Sequence, residues 1–238
     1  MFFSTPYSLP PYCRERSDVR IGVTIFPGSN CDRDALYAVE RMGAAPVELW
    51  HADADLKGVD AVIVPGGFSY GDYLRPGAIA RFARVMAPLE DFARSGGPIL
   101  GVCNGFQVLT EAHLLPGALL RNSHMRFVCL RVRVRVETTQ TPWTSACEPG
   151  EVLTLPVAHN EGNYFADPTT IEELEAEERV VLRYLENPNG SANDIAGICN
   201  EERNVVGIMP HPERVSDGAL GSDEGLRILR SVFAGARV

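Results

Sequence analysis

The chain has 238 residues, 45% of them hydrophobic and 22% charged, which suits a globular protein with a sizeable core and excludes a disordered or fibrous one. A formal net charge of -9 would be repelled by a phosphate backbone, so nucleic acid is not expected as a main partner. The six cysteines form no C-x-x-C pair, the start MFFSTPYSLPPYCRER has no signal-peptide pattern, and the longest uncharged run, Ser95 to Thr110, is too short and too rich in Gly, Asn and Gln to span a bilayer; a reducing, cytoplasmic setting is expected.

Residues 1–18 carry three prolines and no period, and are expected to be a flexible tail. From Val19 the pattern changes. VRIGVTIF is an apolar run of strand length followed by the turn residues PGSN. Asp32 to Met42 reads as a helix, with acids in its first turn and Gly43 just past its end. PVELW is a short strand, and Val59 to Gly67 (VDAVIVPGG) is a buried strand ending in a glycine pair. After the loop GFSYGDYLRPG, Ala78 to Arg94 is predicted as one helix. PILGVC is a buried strand and Asn104 to His113 a further helix. Strands and helices in this alternation predict an α/β fold with a parallel sheet and flanking helices.

The second half differs. FVCLRVRVRVE alternates strictly between apolar and charged residues, the pattern of a half-exposed antiparallel strand near a sheet edge. EVLTLPVAH, VVLRYLEN, IAGICN and VVGIMP are four more strands, and Gly221 to Ala236 is predicted as a closing helix. No linker, repeat or low-complexity segment divides 19–238.

Chemistry concentrates at Ile99-Leu100-Gly101-Val102-Cys103-Asn104-Gly105-Phe106-Gln107. An apolar strand runs through G-x-C-x-G into a helical pattern, the arrangement of a nucleophile elbow with cysteine at its centre. A sharp strand-to-helix turn needs small neighbours, which Gly101 and Gly105 supply. It should push the thiol out above the carboxyl edge of the sheet, where a substrate can reach it, with a helix N-terminus behind that favours the thiolate. The other five cysteines read as small buried hydrophobes. A glycine-rich turn of this kind can also hold phosphate, but no G-x-G-x-x-G or G-K-[ST] stands here.

A cysteine hydrolase needs a base and a group to orient it. His211, in Met209-Pro210-His211-Pro212-Glu213, follows the last predicted strand, and two prolines fix its backbone. Glu213 is placed to accept an imidazole N–H. His159, at another strand end, is the second candidate base and a candidate substrate contact. The oxyanion is expected to be held by the backbone N–H of Asn104, next after the nucleophile, and by that of Gly67 in Pro65-Gly66-Gly67-Phe68. Phe68 and Gln107 are candidates for lining the substrate pocket.

GVCNGFQ, PGGFSYGDYLRPG and MPHPER together resemble the class I (triad) glutamine amidotransferases. FPGSNCDRD, the GFSYGDYLRPGAIA loop and NPNGSANDIAGICNEERNVVGIMPHPE are similar, within them, to the glutaminase subunits (PurQ) of phosphoribosylformylglycinamidine synthase. The likeness runs from about Arg20 to the C-terminus, so 19–238 is expected to be one glutamine amidotransferase domain. It implies a flavodoxin-like sheet with an added antiparallel region, Cys103 as nucleophile, His211 as acid and base, and Glu213 as its orienter. It also implies glutamine as the ammonia source and, for partners, a large ATP-dependent PurL-like synthetase with a small bridging PurS-like subunit. No cofactor is implied in this chain; ATP and Mg are expected on the synthetase. The chain departs from the family where Asn160 replaces the usual glycine of HGEG, and where 1–18 have no counterpart. Two rivals are a stand-alone DJ-1/PfpI-type cysteine hydrolase, against which MPHPE argues, and a regulatory scaffold without activity. Among amidotransferases, other acceptors use the same triad.

Overall fold

The computed structural model describes residues 19–235, so the expected tail over 1–18 and the last residue of the predicted closing helix, Ala236, lie outside the described residues. The first apolar run becomes β1 (Arg20–Ile25), which turns into α1 (Asp32–Met42); Gly43 closes that helix at φ 98, a left-handed cap that glycine adopts without a Cβ penalty. β2 (Ala45–Trp50) and β3 (Ala61–Val64) follow. After a long irregular loop come α2 (Met86–Arg94), β4 (Ile99–Val102) and α3 (Asn104–Glu111).

The second half contains β5 (Ala118–Leu120), β6 (Val128–Val136), β7 (Val152–His159), β8 (Asn163–Phe165) and α4 (Pro168–Ala176). It continues with β9 (Val180–Tyr184), β10 (Ile195–Cys199) and β11 (Val205–Ile208), and closes with α5 (Gly225–Leu229) and α6 (Val232–Gly235).

Nine strands form one sheet in the order β2-β1-β3-β4-β11-β10-β9-β6-β7, and β5 pairs with β8 in a separate two-stranded ribbon. The half from β2 to β11 is parallel, and the half from β11 to β7 is antiparallel. This is the flavodoxin-like sheet with an antiparallel addition. Its central strands β3, β4 and β11 are buried at every position, as parallel strands covered on both faces must be. The crossover from β1 to β2 runs one way along the sheet and that from β3 to β4 the other. Right-handed connections therefore put α1 on one face and α2 on the opposite face. The reversal lies between β1 and β3, and the carboxyl ends beside it are where such sheets place their sites. Among the described residues no helix is long and apolar enough to cross a membrane.

Two predicted helices are broken. Ala78–Arg94 divides into a single 3-10 turn at Ala80–Phe82 and α2, with Ala83 extended between them. Pro88 explains the division: in a continuous helix its ring would clash with the carbonyl of Arg84, whereas in the first turn of α2 its missing N–H costs nothing. The closing helix divides at Arg230–Ser231. Ser231 Oγ donates back to the Arg227 carbonyl at 2.8 Å, and its own carbonyl accepts from Ser145 Oγ at 2.9 Å.

Glycines set the spacing of α3 over the sheet. A Cβ on Gly105 would lie 1.8 Å from the Val64 carbonyl oxygen, and one on Gly101 would lie 2.5 Å from Leu109 Cδ1. Gly105→Ala is expected to cost about 3 kcal/mol or more in urea-unfolding free energy. Gly218→Ala, where a Cβ would have nothing within 4 Å, is expected to stay within about 0.5 kcal/mol of the parent.

Candidate active site

Cys103 joins β4 to α3 at φ 52 and ψ -106, a conformation a non-glycine residue adopts only under strain of about 1–3 kcal/mol. Two bonds hold it there. Its N–H donates to the Ile208 carbonyl of β11 at 2.8 Å, and its carbonyl accepts from the Gln107 N–H at 3.2 Å, which starts α3. This is the elbow expected from G-x-C-x-G. The thiol, however, is not open to solvent as expected. Cys103 is only 5% exposed, and its sulfur stands 3.8 Å from the carbonyl of Ala158 near the end of β7. The sequence pattern of the elbow contains no information about the antiparallel strand that later covers it.

His211 follows β11 and is held by its own N–H, which donates to the Pro156 carbonyl of β7 at 2.8 Å. Pro212 starts a 3-10 turn, Pro212–Val215, that swings Glu213 back beneath the ring. Glu213 Oε1 lies 2.6 Å from His211 Nδ1, and both side chains are buried. That bond fixes the proton on Nδ1 and leaves Nε2, which is buried without a hydrogen-bond partner among the described residues, for the reaction. Burial alone would depress the His211 pKa, but the Glu213 carboxylate, followed by the Cys103 sulfur, outweighs it and holds the imidazole well above its ordinary value.

These groups meet around one glycine. A Cβ on Gly66 would lie 2.7 Å from His211 Cε1, 3.2 Å from Cys31 Sγ and 3.4 Å from Cys103 Cβ. Gly66 must therefore lack a side chain if the ring is to approach the thiol. The next residue, Gly67, sits at φ 134, and an isolated bridge pairs it with Ser29, tying the loop after β3 to the loop after β1. The backbone N–H groups of Gly67 and Asn104 donate to no group among the described residues, so both are free to hold an oxyanion.

The remaining predicted residues fall nearby in different roles. Phe68 is 46% exposed at the start of the loop after β3. Gln107 is buried with both ends of its amide engaged, accepting from Asn104 Nδ2 at 2.9 Å and donating to the Glu161 carbonyl. His159 is buried, with Nδ1 3.1 Å from Asn122 Oδ1. Burial, and then the neighbouring His211, push its pKa down to about 4, so it is neutral at physiological pH. Asn160 uses its side chain on Glu161 Oε1 at 2.8 Å.

Four participants escaped the sequence reading: Cys31, Arg214, Asp72 and Asn122. Arg214 donates to Cys31 Sγ at 2.9 Å and stands 3.5 Å from Asp34. Cys31, His211 and Glu213 offer a sulfur, a ring nitrogen and a carboxylate oxygen all within 4.8 Å of one another. The Arg214 guanidinium already donates to that sulfur, so a cation bound there would stand beside a fixed positive charge.

A model of the CobB/CobQ-like glutamine amidotransferase domain matches residues 18–223. The chain belongs to that family. Among amidotransferases it is 81% identical to phosphoribosylformylglycinamidine synthase subunit PurQ of Rubrobacter xylanophilus over 92% of this chain and 100% of that one. It is 54% identical to the PurQ subunit of a Nostoc species over 90% of this chain and 97% of that one. A chain in the solved structure of PurLQS from Thermotoga maritima superposes with a TM-score of 0.85 at 42% identity, covering 93% of this chain and all of that one. A GMP synthase component from Thermoplasma acidophilum matches with a TM-score of 0.63 at 17% identity, covering 94% of this chain and 98% of that one, a likeness of fold alone. Two clefts of this amidotransferase lie away from Cys103, one beside His113 and Arg179 and the other beside Arg41 and Asp217.

Glu213→Gln keeps the shape of the side chain and removes its charge, so the His211 pKa should fall. The turnover number for glutamine is expected to drop by about 10²–10⁴-fold, with KM within about threefold of the parent. Steady-state glutaminase assays across the neutral pH range check this.

Proposed function

We propose that this chain is the glutaminase subunit of a phosphoribosylformylglycinamidine synthase. The observation that carries the reading is the convergence of Cys103 and a Glu213-oriented His211 on Gly66, beside two free backbone N–H groups. The PurQ relatives, similar over nearly their whole length, supply the acceptor.

In this reading the Cys103 thiolate attacks the side-chain carbonyl carbon of glutamine. The carbonyl oxygen becomes an oxyanion held by Gly67 and Asn104 N–H groups. Protonated His211 gives its Nε2 proton to the leaving nitrogen; the C–N bond breaks, ammonia departs, and a glutamyl thioester remains. Neutral His211 then takes a proton from water, whose oxygen attacks the thioester. Glutamate leaves and the thiolate returns. Glu213 stabilises the imidazolium in both halves.

Phe68, exposed at the start of the loop after β3, is open to meet glutamine, whereas Gln107 and His159 are buried and support the site from within. The chain has no Walker-type loop, and its only lysine, Lys57, stands outside any phosphate motif. ATP and Mg chemistry therefore belongs to a large PurL-like synthetase that uses the ammonia to convert formylglycinamide ribonucleotide to its amidine, with a small PurS-like subunit joining the two. The six cysteines without a C-x-x-C pair support a reducing, cytoplasmic setting.

Cys103→Ser, reconstituted with PurL-like and PurS-like partners, is expected to lose glutamine-dependent amidine formation and to keep ammonium-dependent formation near the parent rate. A variant that still used glutamine at the parent rate would remove Cys103 from the mechanism.

A further inference from the structure

The two oxyanion donors come from different parts of the chain: Gly67 from the loop after β3, and Asn104 from the start of α3. The Asn104 side chain links them. Its Oδ1 accepts from the backbone N–H of Ser69, two residues beyond Gly67, at 3.1 Å. Its Nδ2 donates to Asp72 Oδ1 at 3.2 Å and to Gln107 Oε1 at 2.9 Å. Gln107 in turn donates to the Glu161 carbonyl in the turn after β7. Loop, elbow and antiparallel extension are thus joined through one amide.

The loop does not hold this shape by local preference. Tyr70 (φ 54), Gly71 (φ 69), Asp72 (φ 53) and Leu74 (φ 71) are all left-handed, and Tyr73 and Leu74 are 73% and 89% exposed, so they bring little packing. Left-handed non-glycine residues persist only where surrounding bonds over-determine them. Asp72 is the residue of this loop whose side chain reaches the elbow.

We infer that Asp72 is a positioning residue of the oxyanion hole: through Asn104 its carboxylate fixes the separation between the Gly67 loop and the Cys103 elbow. The inference rests on the thiol-hydrolase reading above. Asp72 touches neither substrate nor the reacting atoms; it acts by keeping two donors at the spacing the tetrahedral intermediate requires. The ionised carboxylate accepts a charge-assisted bond from Asn104, stronger than the bond a neutral carboxylic acid accepts. Burial, then the Glu161 carboxylate facing it from the turn after β7, push the Asp72 pKa up to about 6, against the lowering pull of the Asn104 amide on α3. Arg121 stands 3.4 Å from Glu161 and moderates that repulsion from the far side. The sign is therefore fixed: the clamp is tight above about pH 6 and loosens as pH falls through that value.

The test uses the full chain reconstituted with its synthetase partners. Glutaminase kcat and KM are measured against pH for the parent, Asp72→Asn and Asp72→Ala. Alkylation of Cys103 by a diazoketone analogue of glutamine is followed by mass spectrometry in each. Asp72→Ala is expected to lower kcat by about 10²-fold with KM within about threefold. Asp72→Asn keeps a carbonyl oxygen for Asn104 and is expected to recover kcat to within about tenfold of the parent. It should lack the acid limb near pH 6 that is expected of the parent. Parent-like kcat in Asp72→Ala, or an unchanged acid limb in Asp72→Asn, would overturn the inference. Should Asp72→Ala fail to fold, the limb in Asp72→Asn still decides. Absence of Cys103 alkylation in the parent would instead strike the thiol-hydrolase reading itself.

Discussion

The backbone at Cys103 holds the molecule's chemistry together. A cysteine at φ 52 and ψ -106 relaxes unless its neighbours forbid it, and here they do so from three sides. β11 receives its N–H through the Ile208 carbonyl, α3 begins on its carbonyl, and Gly105 lets that helix press against Val64 so closely that any side chain would collide. That conformation sets the Cys103 side chain beside Gly66, whose missing side chain lets the His211 ring come in close. Had Gly66 carried a methyl group, His211 would have to retreat, and the 2.6 Å bond that Glu213 makes to it would break or drag the turn after β11 with it.

The antiparallel extension is part of the site rather than an ornament on its edge. β7 gives the Pro156 carbonyl to the His211 N–H and lays the Ala158 carbonyl near the Cys103 sulfur. The turn after it reaches Gln107 and so the Asn104 amide. A parallel sheet alone would place nucleophile and base at adjacent strand ends but leave them wet. With β7 present, the triad side chains are almost fully withdrawn from water, where electrostatic interactions are stronger and a thioester is better protected from stray hydrolysis.

Much of this was legible in the residues. The G-x-C-x-G junction located the elbow because a tight turn tolerates only small neighbours, and the end of the last predicted strand located His211. The alternation in FVCLRVRVRVE marked an antiparallel strand near an edge, and β6 lies beside the edge strand β7. Other features were not legible because distant strands create them. Nothing in PVAHN says that a carbonyl two residues before its end will cover a thiol 55 positions earlier. Cys31 read as an ordinary buried cysteine; its place between Arg214 and His211 depends on two loops meeting. Asp72 stood in a loop with no period to interpret. In one case the signal was present and unused: Asp167 caps α4 by accepting from the Thr170 N–H at 3.1 Å, with Pro168 at the first helical position, the start pattern that DPTT spells out.

Two sulfurs, Cys103 and Cys31, approach the same imidazole, and covalent chemistry is assigned to only one of them. The direct measurement is rapid acid quenching of the enzyme during glutamine turnover, followed by peptide mass spectrometry for a hydroxylamine-sensitive glutamyl adduct. The predicted result is that adduct on the peptide containing Cys103 and on no other. A glutamyl group on Cys31, or steady turnover with no acylated cysteine, would contradict it.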